Sequence, residues 1–383
     1  MFAYLRYFGT HLLVAAATAG LLLGGWWSWL GLLTGIVGWI GGDALSAPVA
    51  TQRPGYRHRR VLDAALYSLL PPLVVLSVVF AWSLAESDLF GIGQALAGMT
   101  GYDALAARAA TTFVDHLGAS WSFALAIAMA GILTAHELLH RQHDPLALAV
   151  GRAMLAMAFN ATLEVAHVFG HHSEVGTRAD PATARRGEGV YRFFVRSTLG
   201  QIGQAWRIER TRLAARAPPW RWLNNRVMRG FARSGLVATA FYAAGGGGAL
   251  GWFLVASTWN KLLLEALNYM EHYGLVRVAG TPIEPRHAWD SVSAFSHAAL
   301  FNLPWHADHH HRSTAPFPEL GPSPDAPRLG RGYLATLPIV LVPPLWRRVI
   351  APRLAYWDAS LATPAERALV DSRCADNAAT GSG

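Results

Sequence analysis

The chain has 383 residues, 52% of them hydrophobic and only 15% charged, where soluble proteins carry about 25% charged residues. Its net charge of +8 is almost all arginine, Lys261 being the single lysine; set against long apolar runs, that balance points to a membrane surface and an acidic protein partner and away from nucleic acid. One cysteine, Cys374, excludes disulfides, iron–sulfur clusters and cysteine-based zinc sites within the chain.

In chain order, the apolar segments predict an all-α integral membrane protein with six transmembrane helices. No Asp, Glu, Lys or Arg stands between Arg6 and Asp43. That run suits a tight hairpin of spans at 7–24 and 26–42, turning at Gly24-Gly25, with Trp26, Trp27 and Trp29 as interface anchors. It continues past signal-peptide length, so no cleavable leader is expected. Further spans are expected at 64–85 and 117–135. The double-length run from Ser234 to Met270 divides at Gly245 to Gly248 into spans 234–248 and 249–270. Tyr333 to Ile350, broken by Pro343-Pro344, reads as an interfacial segment. Residues 371–383 read as a disordered tail, leaving 1–370 as a single membrane domain.

Charge orients these spans. Arg53, Arg57, Arg59 and Arg60 follow the second span, and fourteen arginines lie between His136 and Gly230. The loop after the third span is acidic, with Glu86, Asp88, Asp103 and Asp115. The positive-inside rule therefore puts both termini and the arginine-rich segments on the cytoplasmic side of an inner membrane.

Nine of the sixteen histidines gather at or beyond the cytoplasmic ends of apolar segments. They are His136 and His140; His167, His171 and His172; His272; and His306, His309 and His310. Spacings of three and four place such residues on one helical face. Nine imidazoles exceed one ion, and divided five and four they hold two ions with open positions. That suits oxygen activation by iron, with copper and zinc left open. Carboxylates and amides able to orient ligand rings are Glu271, Asp308, Glu265, Asp180 and Asn268. No catalytic residue is expected beyond the metal ligands. A rival reading takes His136-Glu137-Leu138-Leu139-His140 as the two-histidine, one-glutamate pattern of an intramembrane zinc metalloprotease, and leaves most of the histidines unused. A metal transporter would keep its ligands inside the spans.

The motifs resemble those of the membrane di-iron alkane hydroxylases (alkane 1-monooxygenases), relatives of the xylene monooxygenase hydroxylase subunits and of the histidine-box fatty-acid desaturases. The resemblance rests on His136 to Arg141, on His167 to His172 followed by Asp180 to Glu188, on Asn268-Tyr269-Met270-Glu271-His272-Tyr273-Gly274-Leu275, and on His306-Ala307-Asp308-His309-His310. It implies a membrane hydroxylase domain with a cytoplasmic-side histidine-rich di-metal site holding two non-haem Fe ions. It further implies O₂-dependent hydroxylation of a terminal methyl group, giving a primary alcohol from a medium-chain alkane, or alternatively hydroxylation of an alkylbenzene or fatty-acyl substrate. Electrons would come from a rubredoxin or a ferredoxin-type reductase. The chain departs from the alkane pattern at Ala166, at Leu303-Pro304-Trp305 and at Asp290, positions that bear on the substrate.

Overall fold

A computed structural model describes residues 2–49, 55–214 and 220–379. Among them no β-strand occurs, only isolated bridges at Pro48–Ser293 and Asp290–Arg328. Among the described residues three helices are long and apolar enough to cross a membrane: α1 (Ala3–Leu23), α3 (Arg59–Ser83) and α5 (Phe113–Leu139). Between them lie α2 (25–44) and α4 (Leu89–Thr100). The chain is a membrane protein by these helices. The segment expected as a second span, α2, is a run of 3₁₀, α and π turns rather than one regular helix; Gly31, Gly35, Gly38, Gly41 and Gly42 fall within it, and glycine weakens a helix interior.

The remaining elements are α6 (Pro145–Met157), α7 (163–174), α8 (Val190–Ala214), α9 (Arg226–His272), α10 (Ala294–Ala299), α11 (His306–His311), α12 (Tyr333–Val340), α13 (Pro343–Ser360) and α14 (Pro364–Ala379). α9 is two helices joined at Gly245 and Gly246, where φ takes values of −153° and 62°. The stretch 333–350 breaks before Pro343-Pro344, where α12 ends and α13 begins. Thr363 caps α14 against Glu366, and the helix carries the chain past Val370 to Ala379; residues 380–383, part of the expected disordered tail, lie outside the described residues.

By its contacts the chain divides into two compact units. The first comprises Met1–Ile40, His58–Ala161 and Met228–Leu263. Its central helix is α5, with 83% of its apolar window buried against 39% and 44% for α1 and α3. Small residues let the backbones close: a Cβ on Gly31 would sit 2.8 Å from both Ala17 and Ser122. Phe80, Phe123, Phe241 and Phe253 stack into its aromatic core. α5 begins at a capping box of Thr112 with Asp115 and ends at His136 and His140. Asp144 then caps α6 through the amides of Leu146 and Ala147.

The second unit comprises Gly41–Arg57, Thr162–Val227 and Leu264–Gly383. Here α7 lies against α8, with Val165, Ala166, Ala205 and Val227 between them. The buried carboxylate of Asp43 accepts from the hydroxyls of Ser293 and Ser296 and the amide of Ala335, which ties α2's last turn to α10 and α12. Gly274 ends α9 at φ 73°, and a Cβ there would come within 2.8 Å of Leu354. Glycine is therefore required where the chain turns out of the helix just after His272.

Candidate metal centre

Seven of the nine histidines belong to the second unit, and they form two groups. His171, His272, His306 and His310 are all buried, and one ring nitrogen from each lies within 4.8 Å of the others. The Nε2 atom of His306 stands 3.0 Å from that of His272 and 3.2 Å from that of His310. Nε2 of His171 is buried with no hydrogen-bond partner. His167, His172 and His309 form the second group, with the Nε2 atoms of His167 and His172 3.0 Å apart.

This division follows from the local fold. Residues 166–171 of α7 form a π turn, in which a residue aligns with its fifth neighbour rather than its fourth. His167 thus pairs with His172, and His171 turns to the other group. The helical spacing read from the sequence placed His167 and His171 on one face; the π turn separates them. α11 divides its histidines in the regular way, with His306 and His310 one turn apart in the first group and His309 in the second. In the first unit, His136 and His140 lie one turn apart at the end of α5 and meet edge to face, ring centroids 5.0 Å from each other. They follow another π turn, at Ile127–Ile132.

Two of the rings, His171 and His272, are held in the tautomer a ligand needs. His171 donates from Nδ1 to Asp180 Oδ2 at 2.8 Å, and Asp180 is fixed by Thr183 Oγ1 at 2.6 Å and by the Ala182 amide at 3.0 Å. Burial would raise the Asp180 carboxyl, but His171 beside it and these hydrogen bonds hold it below the ordinary range. His272 donates from Nδ1 to the His287 carbonyl at 3.2 Å. Burial, then the neighbouring His171, lowers His272 to about 3. Burial and the surrounding rings hold His310 well below its usual value. Imidazoles whose Nε2 atoms converge on one point are the geometry of a transition-metal site. The four-histidine group fits one.

The other residues singled out in the sequence have distinct places. Glu271 is buried, burial pushes it up to about 8, and its Oε2 lies 3.4 Å from His306 Nε2. Glu265 accepts from Gln201 at 2.8 Å and from Asn268 at 3.4 Å, bracing α9 against α8. Asp308 accepts from Arg312 and from the Gly321 amide, which fixes α11 to the loop that follows it. Sequence reading missed two supports. His287 acts through its backbone carbonyl, which no residue type reveals. Asp290 accepts the Ala307 amide at 2.8 Å beside His306; its buried position near Asp308 raises its carboxyl well above the usual range.

Comparison with known proteins agrees with this centre. The family model described as fatty acid desaturase matches residues 111–323. Alkane 1-monooxygenase 1 of Pseudomonas aeruginosa is 34% identical over 64% of this chain and 65% of its own length. Alkane 1-monooxygenase 2 of the same organism is 31% identical over 89% of the chain and 90% of its own. The xylene/toluene monooxygenase hydroxylase component XylM of Pseudomonas putida is 30% identical over 95% and 93%. The aligned stretch thus spans about two thirds of the first relative and about nine tenths of the other two. With its apolar helices and converging histidines, the chain belongs to the fatty acid desaturase family and, within it, to the membrane monooxygenases that include the alkane 1-monooxygenases and XylM.

Proposed function

We propose that this protein is a di-iron monooxygenase that hydroxylates the terminal methyl group of a hydrophobic, bilayer-dissolved substrate, a medium-chain alkane giving a primary alcohol. The four-histidine group carries the reading, because four nitrogen-only ligands in a buried setting suit a redox metal. His171, His272, His306 and His310 hold one iron. His167, His172 and His309 are three ligands of the second, and His136 and His140 are the remaining ligand histidines that the sequence offers. When bound, the irons supply the activation of O₂. The chain's own residues orient the ligand rings, with Asp180 and the His287 carbonyl fixing tautomers, and keep the centre away from bulk water.

Six spans and a cytoplasmic-side centre at the inner membrane complete the proposal. The two apolar lengths of α9, parted at Gly245-Gly246, and the run of α2 supply the three spans beyond α1, α3 and α5. A reporter fused after Arg60 would then be cytoplasmic and one inserted at Tyr102 external. Electrons come from an acidic carrier of the rubredoxin or ferredoxin-reductase kind. Arg178, Arg185 and Arg192 are exposed beside the loop that holds Asp180. Partial burial, then the repulsion of Arg196, Arg178 and Arg192, holds the Arg185 guanidinium below its ordinary value, and an acidic surface would offset that repulsion.

A second reading, hydroxylation of a methyl group on an aromatic ring, is favoured by the coverage of XylM, 95% of this chain. Product analysis decides. Cells expressing the chain with a rubredoxin system are fed medium-chain alkanes, fatty-acid esters and alkylbenzenes, and the alcohols are identified. Primary alkanols support the first reading and benzylic alcohols the second; a chain that binds iron and forms no alcohol from any of them overturns both.

A further inference from the structure

We infer that Glu366, at the start of α14 and beyond the residues matched by the family model, is a positioning residue for the metal ligand His272, acting through His287. The inference rests on His272 being a ligand. The end of α9 is gripped at three consecutive residues by one segment, 287–289. The Trp289 amide donates to Glu271 O at 2.8 Å, His272 Nδ1 donates to His287 O, and Trp289 Nε1 donates to Tyr273 O at 3.0 Å. The His287 carbonyl is the acceptor that leaves Nε2 of His272 with its lone pair toward the metal. Since His272 is fully buried, no water stands in for that acceptor.

The carbonyl is only as fixed as the segment that carries it, and that segment is held from the C-terminal helices. His287 Nδ1 accepts the Glu284 amide at 3.0 Å, so its Nε2 carries the proton and donates to Glu366 Oε1 at 2.8 Å. Both side chains are buried. Glu366 also accepts from Arg286 Nε at 3.1 Å and from the Thr363 amide at 2.8 Å, and Trp357 of α13 donates to Arg286 O at 2.7 Å. Loss of the Glu366 carboxylate leaves the buried His287 Nε2–H unanswered and releases the turn 285–287. The His287 carbonyl then no longer sets the His272 ring.

The test separates positioning from anchoring of α14. Three variants are loaded with ⁵⁷Fe(II): Glu366→Ala, Glu366→Gln, and Arg367→Ala, which removes an α14 anchor to the Asp358 and Ala362 carbonyls without touching His287. Iron per chain and Mössbauer spectra are read beside the thermal unfolding of the iron-free proteins. Glu366→Ala should weaken iron binding by about 10–100-fold and alter the signal of one iron only. Glu366→Gln, whose carboxamide oxygen still accepts from His287, should restore both. Arg367→Ala should leave the spectrum unchanged. A Glu366→Ala protein with native iron content and spectrum overturns the inference, as does loss of both irons together with the fold in Glu366→Ala and Arg367→Ala alike. Failure of the native protein to bind iron at all would instead overturn the metal reading beneath it.

Discussion

His171 and Asp180 are joined by a 2.8 Å hydrogen bond between Nδ1 and Oδ2, with both side chains buried. The bond fixes the His171 ring with Nε2 free for a metal, and Thr183 and Ala182 in turn fix the carboxylate. Asp180→Ala is therefore expected to lower iron affinity by about 10–100-fold while the chain still inserts. Asp180→Asn, which keeps an acceptor oxygen, should fall between. Iron per chain in purified membranes checks this, and a native iron content in Asp180→Ala would remove Asp180 from the ligand support.

His171 and His172 are neighbours in sequence and belong to different groups of rings. Their alanine variants should both lose turnover, but each should perturb a different iron. Mössbauer spectra of ⁵⁷Fe-loaded His171→Ala and His172→Ala should each retain one native doublet, and not the same one. If both variants change the same doublet, the division made by the π turn is wrong.

Much of the centre was legible in the sequence because ligand histidines must recur at helical spacing and sit beside apolar runs. All seven in the second unit stand in one group or the other. Their division was not legible, since a π turn at 166–171 changes the period without changing composition. The role of Asp180 lay nine residues from its partner in an irregular loop, and that of His287 in a backbone oxygen. Three spans were legible from length and hydropathy alone. α2 and the two halves of α9, which the sequence also offers as spans, are interrupted by glycines that break the regular period.

Glu209 of α8 is fully buried and gathers Arg212 and Arg226 at 2.6 and 2.7 Å, joining the end of α8 to the start of α9. Burial raises its carboxyl, but the hydrogen bonds from both arginines prevail and bring it to about 2. A lowered acid contributes stability that is full above its unfolded value, near 4.5, and is lost as pH falls through the folded value. Thermal stability should therefore decline between about pH 4.5 and 2. Glu209→Gln should cost about 1.5–3 kcal/mol at neutral pH and flatten that decline. An unchanged melting temperature at pH 7 would show the cluster to be energetically idle.

Glu137 separates the oxygenase from the hydrolase that the motif His136-Glu137-Leu138-Leu139-His140 literally spells. Both chemistries use His136 and His140 as ligands, so altering either is uninformative. In a zinc hydrolase Glu137 is the base for the attacking water, and Glu137→Gln would keep its metal and lose nearly all turnover. Here Glu137 Oε1 accepts from Arg141 at 3.2 Å, and the same guanidinium reaches Asp63 at 2.7 Å. On a helix the residue next to a ligand points about 100° away from it. Glu137 is thus bound into a chain of charges that holds Arg141, just past His140, rather than left available to a water. Glu137→Gln is expected to keep its iron and retain measurable hydroxylation, with a loss of about 10–100-fold at most if the Arg141 contact helps orient the ligand pair. Iron per chain and alcohol formed per iron, under O₂ with an electron donor, measure it. A variant with full iron and no detectable alcohol would make Glu137 essential and reopen the hydrolytic reading.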